Sequence, residues 1–277
     1  MKKKKRVFLP VVAAVALLAS CRSGPETAGE APEISAFKVE ETIILEPERN
    51  VSPETGGTAP RMRISLSIPV LSGAGEAGPL QQLIQNALYK GMDPRTYAGA
   101  LITDFKSQYH AAWEDYGNNQ GPGEIFNWEY TETWESPVNT PLLLVLSREK
   151  EYYLGGAHGM REQLWLVLDR EKSRHTALAD IVPDEKQGLL AAAALKALRE
   201  KAGLKEGEPL SQGGYFEGFV LTENFYLLPG GMGFHWDPYE IAPYSHGPVD
   251  IVIPYRNIRD LLTPWGLILA EEARKRG

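Results

Sequence analysis

Few residues in this chain are placed for chemistry by their type and spacing, and each has a plainer role beside it. Gly155-Gly156-Ala157-His158-Gly159 is the most conspicuous short motif. Three glycines in five residues permit a sharp turn or a close backbone approach. His158 can serve there as a ligand, a base or a hydrogen-bond partner, or simply as a turn residue bonded to nearby backbone. A lone histidine in such a turn has no partner by spacing, so the turn role is favoured. The motif lacks the Gly-Lys-Ser/Thr ending of a phosphate loop, and no helix signal follows it. His110, His175, His235 and His246 complete the histidines, and none stands in HExxH or another helical ligand spacing. His235 and Asp237 lie two residues apart and share a strand face, with Glu240 nearby. A metal or acid–base site on this group, or His158 acting as a base, is the hydrolase alternative for the chain. No GxSxG nucleophile elbow is present.

The run Pro238-Tyr239-Glu240-Ile241-Ala242-Pro243-Tyr244-Ser245-His246-Gly247-Pro248 is the best candidate recognition surface. Two tyrosines and a histidine on a proline-stiffened loop offer amphipathic contacts at low entropic cost. The plainer reading packs this loop over a sheet end with the tyrosine hydroxyls on backbone, and it is the commoner arrangement. Gly155, Gly156, His158, Tyr239, Glu240, Tyr244 and His246 are therefore the candidate ligand-binding residues. No catalytic residue, metal ligand or cofactor is assigned.

Alternation and capping indicate the elements that position these residues. Phe37–Leu45 reads as a first strand. Arg61–Leu71 alternates Ile64, Leu66, Ile68 and Val70 with Arg63, Ser65 and Ser67, a strand with one wet face. Pro79–Lys90 carries an apolar stripe and Gly91 ends it, so it reads as a helix. A second helix begins at Pro94 behind the cap Asp93, with aromatic or apolar residues every fourth position from Tyr97 to Trp113. Ile125–Glu135 sets Phe126, Trp128, Tyr130 and Trp134 against Asn127, Glu129, Thr131 and Thr133. Core packing explains this aromatic ladder, and a glycan-stacking platform is the sharper alternative. Pro141–Ser147, Glu151–Leu154 and Arg161–Leu168 supply further strand. Asp184–Ala202 is a helix expected to be capped by Asp184 and stopped by Gly203. Asn224–Leu228 and Met232–Trp236 flank a Pro229-Gly230-Gly231 turn, and Val249–Tyr255 alternates as a third strand. A short helical piece at Arg256–Leu262 and a charged tail close the chain. Mixed elements with short turns indicate an α+β fold, mostly antiparallel sheet with three main helices packed on it.

Outside its first six residues the chain holds 24 basic and 36 acidic residues, a net charge of −12. Such a surface is ill suited to nucleic acid, whose phosphates need a Lys/Arg surplus. Lys2–Arg6, an apolar core at Val7–Leu17 and Leu18-Ala19-Ser20-Cys21 look like a bacterial lipoprotein signal. The apolar stretch is short for a permanent span. In such signals the cysteine receives a diacylglycerol and becomes the new N-terminus. Cys21, the single cysteine, is thus the expected lipid attachment site, which excludes a disulfide and thiol catalysis. The expected organisation is a signal peptide at 1–20, a Gly/Pro/Ser/Thr/Glu tether at 21–33, halves at 34–150 and 151–265, and a tail at 266–277.

Tyr153-Leu154-Gly155-Gly156-Ala157-His158, Ala179-Asp180-Ile181-Val182, Phe225-Tyr226-Leu227 and the run Pro238–Gly247 closing in Val249–Tyr255 together resemble one family. It is the extracytoplasmic domain of RsiV-type anti-sigma factors, also found as the accessory domain of PdaC-type peptidoglycan deacetylases. The strand from Ile64 and the following helix resemble its first half. The resemblance spans roughly Ser35 to Leu262. It implies an α+β envelope domain, a lysozyme-binding sensor in the RsiV branch and a companion to a separate catalytic domain in the PdaC branch. Lipid in place of a transmembrane helix, with no sigma-binding segment, argues against anti-sigma activity, and no length is left for a deacetylase domain. The expectation is a lipid-anchored, non-catalytic binding or sensor protein of the cell envelope. Its expected partners are the membrane, through the lipid, and an envelope protein such as a muramidase, or peptidoglycan.

Overall fold

A computed structural model describes residues 33–44, 61–72, 77–117 and 126–275. The signal, Cys21 and most of the tether lie outside the described residues. Six strands form the larger sheet in sequence order: β1 (Glu33–Ile44), β2 (Arg61–Ser72), β3 (Trp128–Asn139), β4 (Leu143–Tyr153), β5 (Met160–Asp169) and β6 (Arg174–His175). All neighbours are antiparallel except β2 and β3, which run parallel over Met62–Leu66 and Trp128–Glu132. That parallel pair needs a crossover, supplied by α1 (Ala77–Leu88) and α2 (Pro94–Ala112). Asp93 caps α2 as expected, its Oδ1 accepting the backbone N–H groups of Arg95 at 3.0 Å and Thr96 at 3.1 Å.

A second, three-stranded antiparallel sheet holds β7 (Phe225–Leu228), β8 (Gly231–Trp236) and β9 (Val249–Ile253). The short α3 (Leu178–Ile181), α4 (Asp184–Ala202), the short α5 (Tyr255–Ile258) and α6 (Pro264–Lys275) accompany it. The fold is α+β with mostly antiparallel sheet. Strands β4 and β5 serve both cores. Leu144, Leu146, Leu166 and Leu168 face α1 and α2, while Leu143, Val145 and Val167 face α4, α6 and the small sheet. Burial on both faces accounts for the unbroken apolar run Leu142–Leu146. A boundary after residue 150 falls inside β4.

Two local expectations differ from the structure. Asp184 is the first helical residue of α4, and Pro183, extended at φ −64°, holds the cap position. Gly203 ends that helix in the left-handed conformation, as expected. The expected charged tail is largely helix α6. Its Leu269, Ala270 and Ala273 are buried on one stripe between the outward charges, a period the Glu and Arg residues obscure in sequence. Gly266 lets α6 lie against α3, since a Cβ there would stand 2.6 Å from the Ile181 carbonyl oxygen. Among the described residues no helix is long and apolar enough to cross a membrane.

Candidate functional site

Two distant loops meet at the exposed end of the β4–β5 hairpin. The hairpin loop carries the glycine-rich motif, and Gly155 takes φ +82°, which requires glycine. The loop between β8 and β9 brings Tyr239 and Tyr244 to it. Tyr244 donates its hydroxyl to the Gly159 carbonyl at 2.6 Å. The His158 ring stacks on Tyr244 with centroids 3.7 Å apart and planes 18° from parallel. Tyr239 stacks on Tyr244 at 5.7 Å. His158 Nδ1 lies 2.9 Å from the Gly159 carbonyl, which can only accept, so this nitrogen carries the proton. Nε2 is then free to accept the Tyr239 hydroxyl at 3.4 Å.

Tyr239 itself has φ +76°, rare for a bulky side chain, and the residue is 51% exposed. A strained backbone that presents an exposed aromatic ring marks a recognition position more readily than a packing one. An open cleft of about 290 Å³ adjoins Tyr244, lined by Glu129, Thr131, Glu151, Tyr153 and Arg161 among others.

Of the seven expected binding residues, Gly155, Gly156, His158, Tyr239 and Tyr244 are gathered here. Glu240 lies at the base of the loop, where its carboxylate accepts the Asp237 backbone N–H at 2.6 Å. His246 is elsewhere, packed on Tyr215 with centroids 4.7 Å apart.

His235, Asp237 and Glu240 do not form an acid–base site open to a substrate. His235 is 1% exposed. Its Nδ1 lies 2.9 Å from Asp250 Oδ1 and its Nε2 lies 3.1 Å from Asp237 Oδ1, so both ring nitrogens are engaged. Asp237 also accepts the Gln163 backbone N–H at 2.8 Å, and Asn224 bonds Gln163 and Trp165. These side chains satisfy the backbone of β5 and join the two sheets. Burial alone would push the His235 imidazolium down, but the hydrogen bonds and charges of Asp237 and Asp250 together outweigh it and raise its pKa to about 9. A raised folded pKa stabilises fully below the ordinary histidine value of 6.5 and ceases to do so as pH rises through about 9. We expect stability to fall by on the order of 3 kcal/mol across that window, and His235→Asn to flatten the pH profile of the unfolding midpoint. A profile equally steep in the variant would assign the loss to other groups.

A fully buried carboxylate with three donors escaped the sequence reading. Glu132, on β3, is fully buried. It accepts the Tyr130 hydroxyl at 2.9 Å, the Trp134 indole N–H at 3.0 Å and the Tyr97 hydroxyl at 3.3 Å. Burial and then the Glu132 charge push both phenols up, Tyr97 to about 12, so they remain protonated donors. The available signal was the register: Glu132 occupies the inward phase of Trp128, Tyr130 and Trp134. Among the described residues no three or more histidines, cysteines and carboxylates are grouped to hold a metal ion.

No curated protein matches the chain. A solved structure of a DUF3298-family member from Bacteroides fragilis is similar in fold, with a TM-score of 0.74 at 22% identity over 89% of this chain and 99% of that one. A DUF3298-family protein from Pseudomonas aeruginosa is similar with a TM-score of 0.54 at 18% identity, covering 86% of this chain and 97% of its own. Residues 179–256, which include Tyr239 and Tyr244 but not His158, match the family model described as a protein of unknown function, DUF3298.

Proposed function

We propose that the chain is a lipid-anchored protein of the cell envelope whose folded domain binds a basic protein of the muramidase type and catalyses nothing. The observation that carries this reading is the ring stack His158–Tyr244–Tyr239, with Tyr239 exposed on a strained backbone. Stacked rings held by a second loop offer a rigid, amphipathic contact at low entropic cost. The surplus of acidic residues favours a basic partner and would speed its encounter. The lipoprotein-like segment ending at Cys21 supports the location, and the resemblance to the RsiV-type domain supports the partner class.

Titration with lysozyme tests the proposal. Tyr239→Ala and Tyr244→Ala should each weaken binding by about 2 kcal/mol, roughly thirtyfold, as buried aromatic anchors do. Binding should weaken with salt. Unchanged affinity in both variants would remove the loop from the interface. Binding of muropeptides in place of lysozyme would reassign the partner to the cell-wall glycan.

A further inference from the structure

The parallel strand pair β2 and β3, the one such pair among the described residues, opens into a slot. Beyond Leu66 and Glu132 the strands β2 and β3 are no longer paired, although β2 continues to Ser72 and β3 to Asn139. β3 also bulges against β4 between Glu135 and Val138. A cavity of about 160 Å³ adjoins the gap and reaches across to β1, lined by Ser35, Ser67, Pro69, Trp134, Glu135 and Ser136 among others. Ligand pockets are concave sites with a few convergent polar groups, and bulges often flank them. About 150 Å³ accommodates one six-membered ring.

The wall of the slot is held in place. Trp134 donates its indole N–H to the buried Glu132, and Arg148 lies over its ring, 5.6 Å from the centroid. Phe126 and Trp128, its companions in the aromatic ladder, are buried in the core, whereas Trp134 borders the cavity. The remaining lining divides into an apolar part, Ile34, Ala36, Pro69 and Leu146, and a hydroxyl and carboxylate part, Ser35, Ser67, Ser136 and Glu135. Such a lining suits a ring with one C–H face and several hydroxyls, and Glu135 disfavours an anion. We propose that this slot binds a single pyranose ring without negative charge, its C–H face on Trp134 and its hydroxyls on Ser67, Ser136 and Glu135. The site is separate from the His158–Tyr239–Tyr244 surface and does not depend on the reading of that surface.

Saturation-transfer NMR on the full chain, in a detergent free of sugar, tests the proposal with N-acetylglucosamine, glucose and glucuronate. A neutral sugar should give a saturable signal with Kd on the order of millimolar, as expected for one small ring. Glucuronate should bind more weakly. Trp134→Ala should abolish the signal, but it also removes a donor from Glu132 and can disturb folding. The double variant Glu135→Ala/Ser136→Ala, at the exposed bulge, leaves that network intact and should weaken binding about tenfold. Tyr239→Ala should leave sugar binding unchanged, and Trp134→Ala should leave lysozyme binding unchanged if the chain folds. No saturable signal from either neutral sugar, or full binding in the double variant, would overturn the assignment whatever lysozyme does.

Discussion

Glu132→Ala should cost about 3 kcal/mol of stability and lower the unfolding midpoint by several degrees. The carboxylate is fully buried and is the acceptor for Tyr97, Tyr130 and Trp134. Removing it leaves three half-buried donors without their shared acceptor, and each donor left unmet costs about 1–3 kcal/mol when fully buried and less where water can reach it. The cavity left by the side chain adds to the loss. Glu132→Gln keeps an acceptor oxygen and the volume, so it should cost less than half as much. Denaturant unfolding of the two variants beside the parent checks the order. A loss below about 1 kcal/mol for the alanine variant would mean that the three donors find other acceptors.

Gly233→Ala should be comparably severe. A Cβ at this position would stand 1.9 Å from the Tyr226 ring, which also packs on the Trp165 ring with centroids 4.2 Å apart and planes tilted by 33°. Gly233 is paired with Tyr226 on one side and Val252 on the other, in the central strand of the small sheet. Neither neighbour can withdraw without parting the strands, and Tyr226 is 4% exposed with its hydroxyl on Asp250 at 3.4 Å. Overpacking of this kind costs about 3 kcal/mol or more. Circular dichroism melts should show a drop of several degrees or failure to fold. A variant of unchanged midpoint would show that the Tyr226 ring has space to swing aside.

Much of the fold was legible because alternation survives wherever one sheet face is wet. Ile64, Leu66 and Ile68 declare β2, Val249, Ile251 and Ile253 declare β9, and Asp93 with Pro94 declares α2. Legibility failed where a residue's partners lie far away in sequence. α6 looked like a charged tail because its buried stripe contacts α3 and the small sheet, and nothing local announces that contact. Glu132 was not singled out, although its phase put it inward with Trp128, Tyr130 and Trp134. One donor comes from α2, 35 residues earlier. The candidate surface was half legible. Tyr239, Tyr244 and His158 each stood out by type, but Tyr244 reaches Gly159 across 85 residues, and only the fold brings them together. His246, equally conspicuous in sequence, turned to Tyr215 instead. His235 and Asp237 do meet, but beside Asp250 and away from solvent, which makes them a clamp between sheets.

The most direct measurement of the central claim is thermal unfolding of the purified protein, alone and with lysozyme, beside the double variant Tyr239→Ala/Tyr244→Ala. A partner that binds only the folded state, at about a hundred times its Kd, adds about 2.7 kcal/mol. That should raise the midpoint by several degrees in the parent chain. The predicted result is a shift in the parent and little or none in the double variant. No shift in the parent, or the same shift in both, would contradict recognition of a basic partner through the Tyr239–Tyr244–His158 surface.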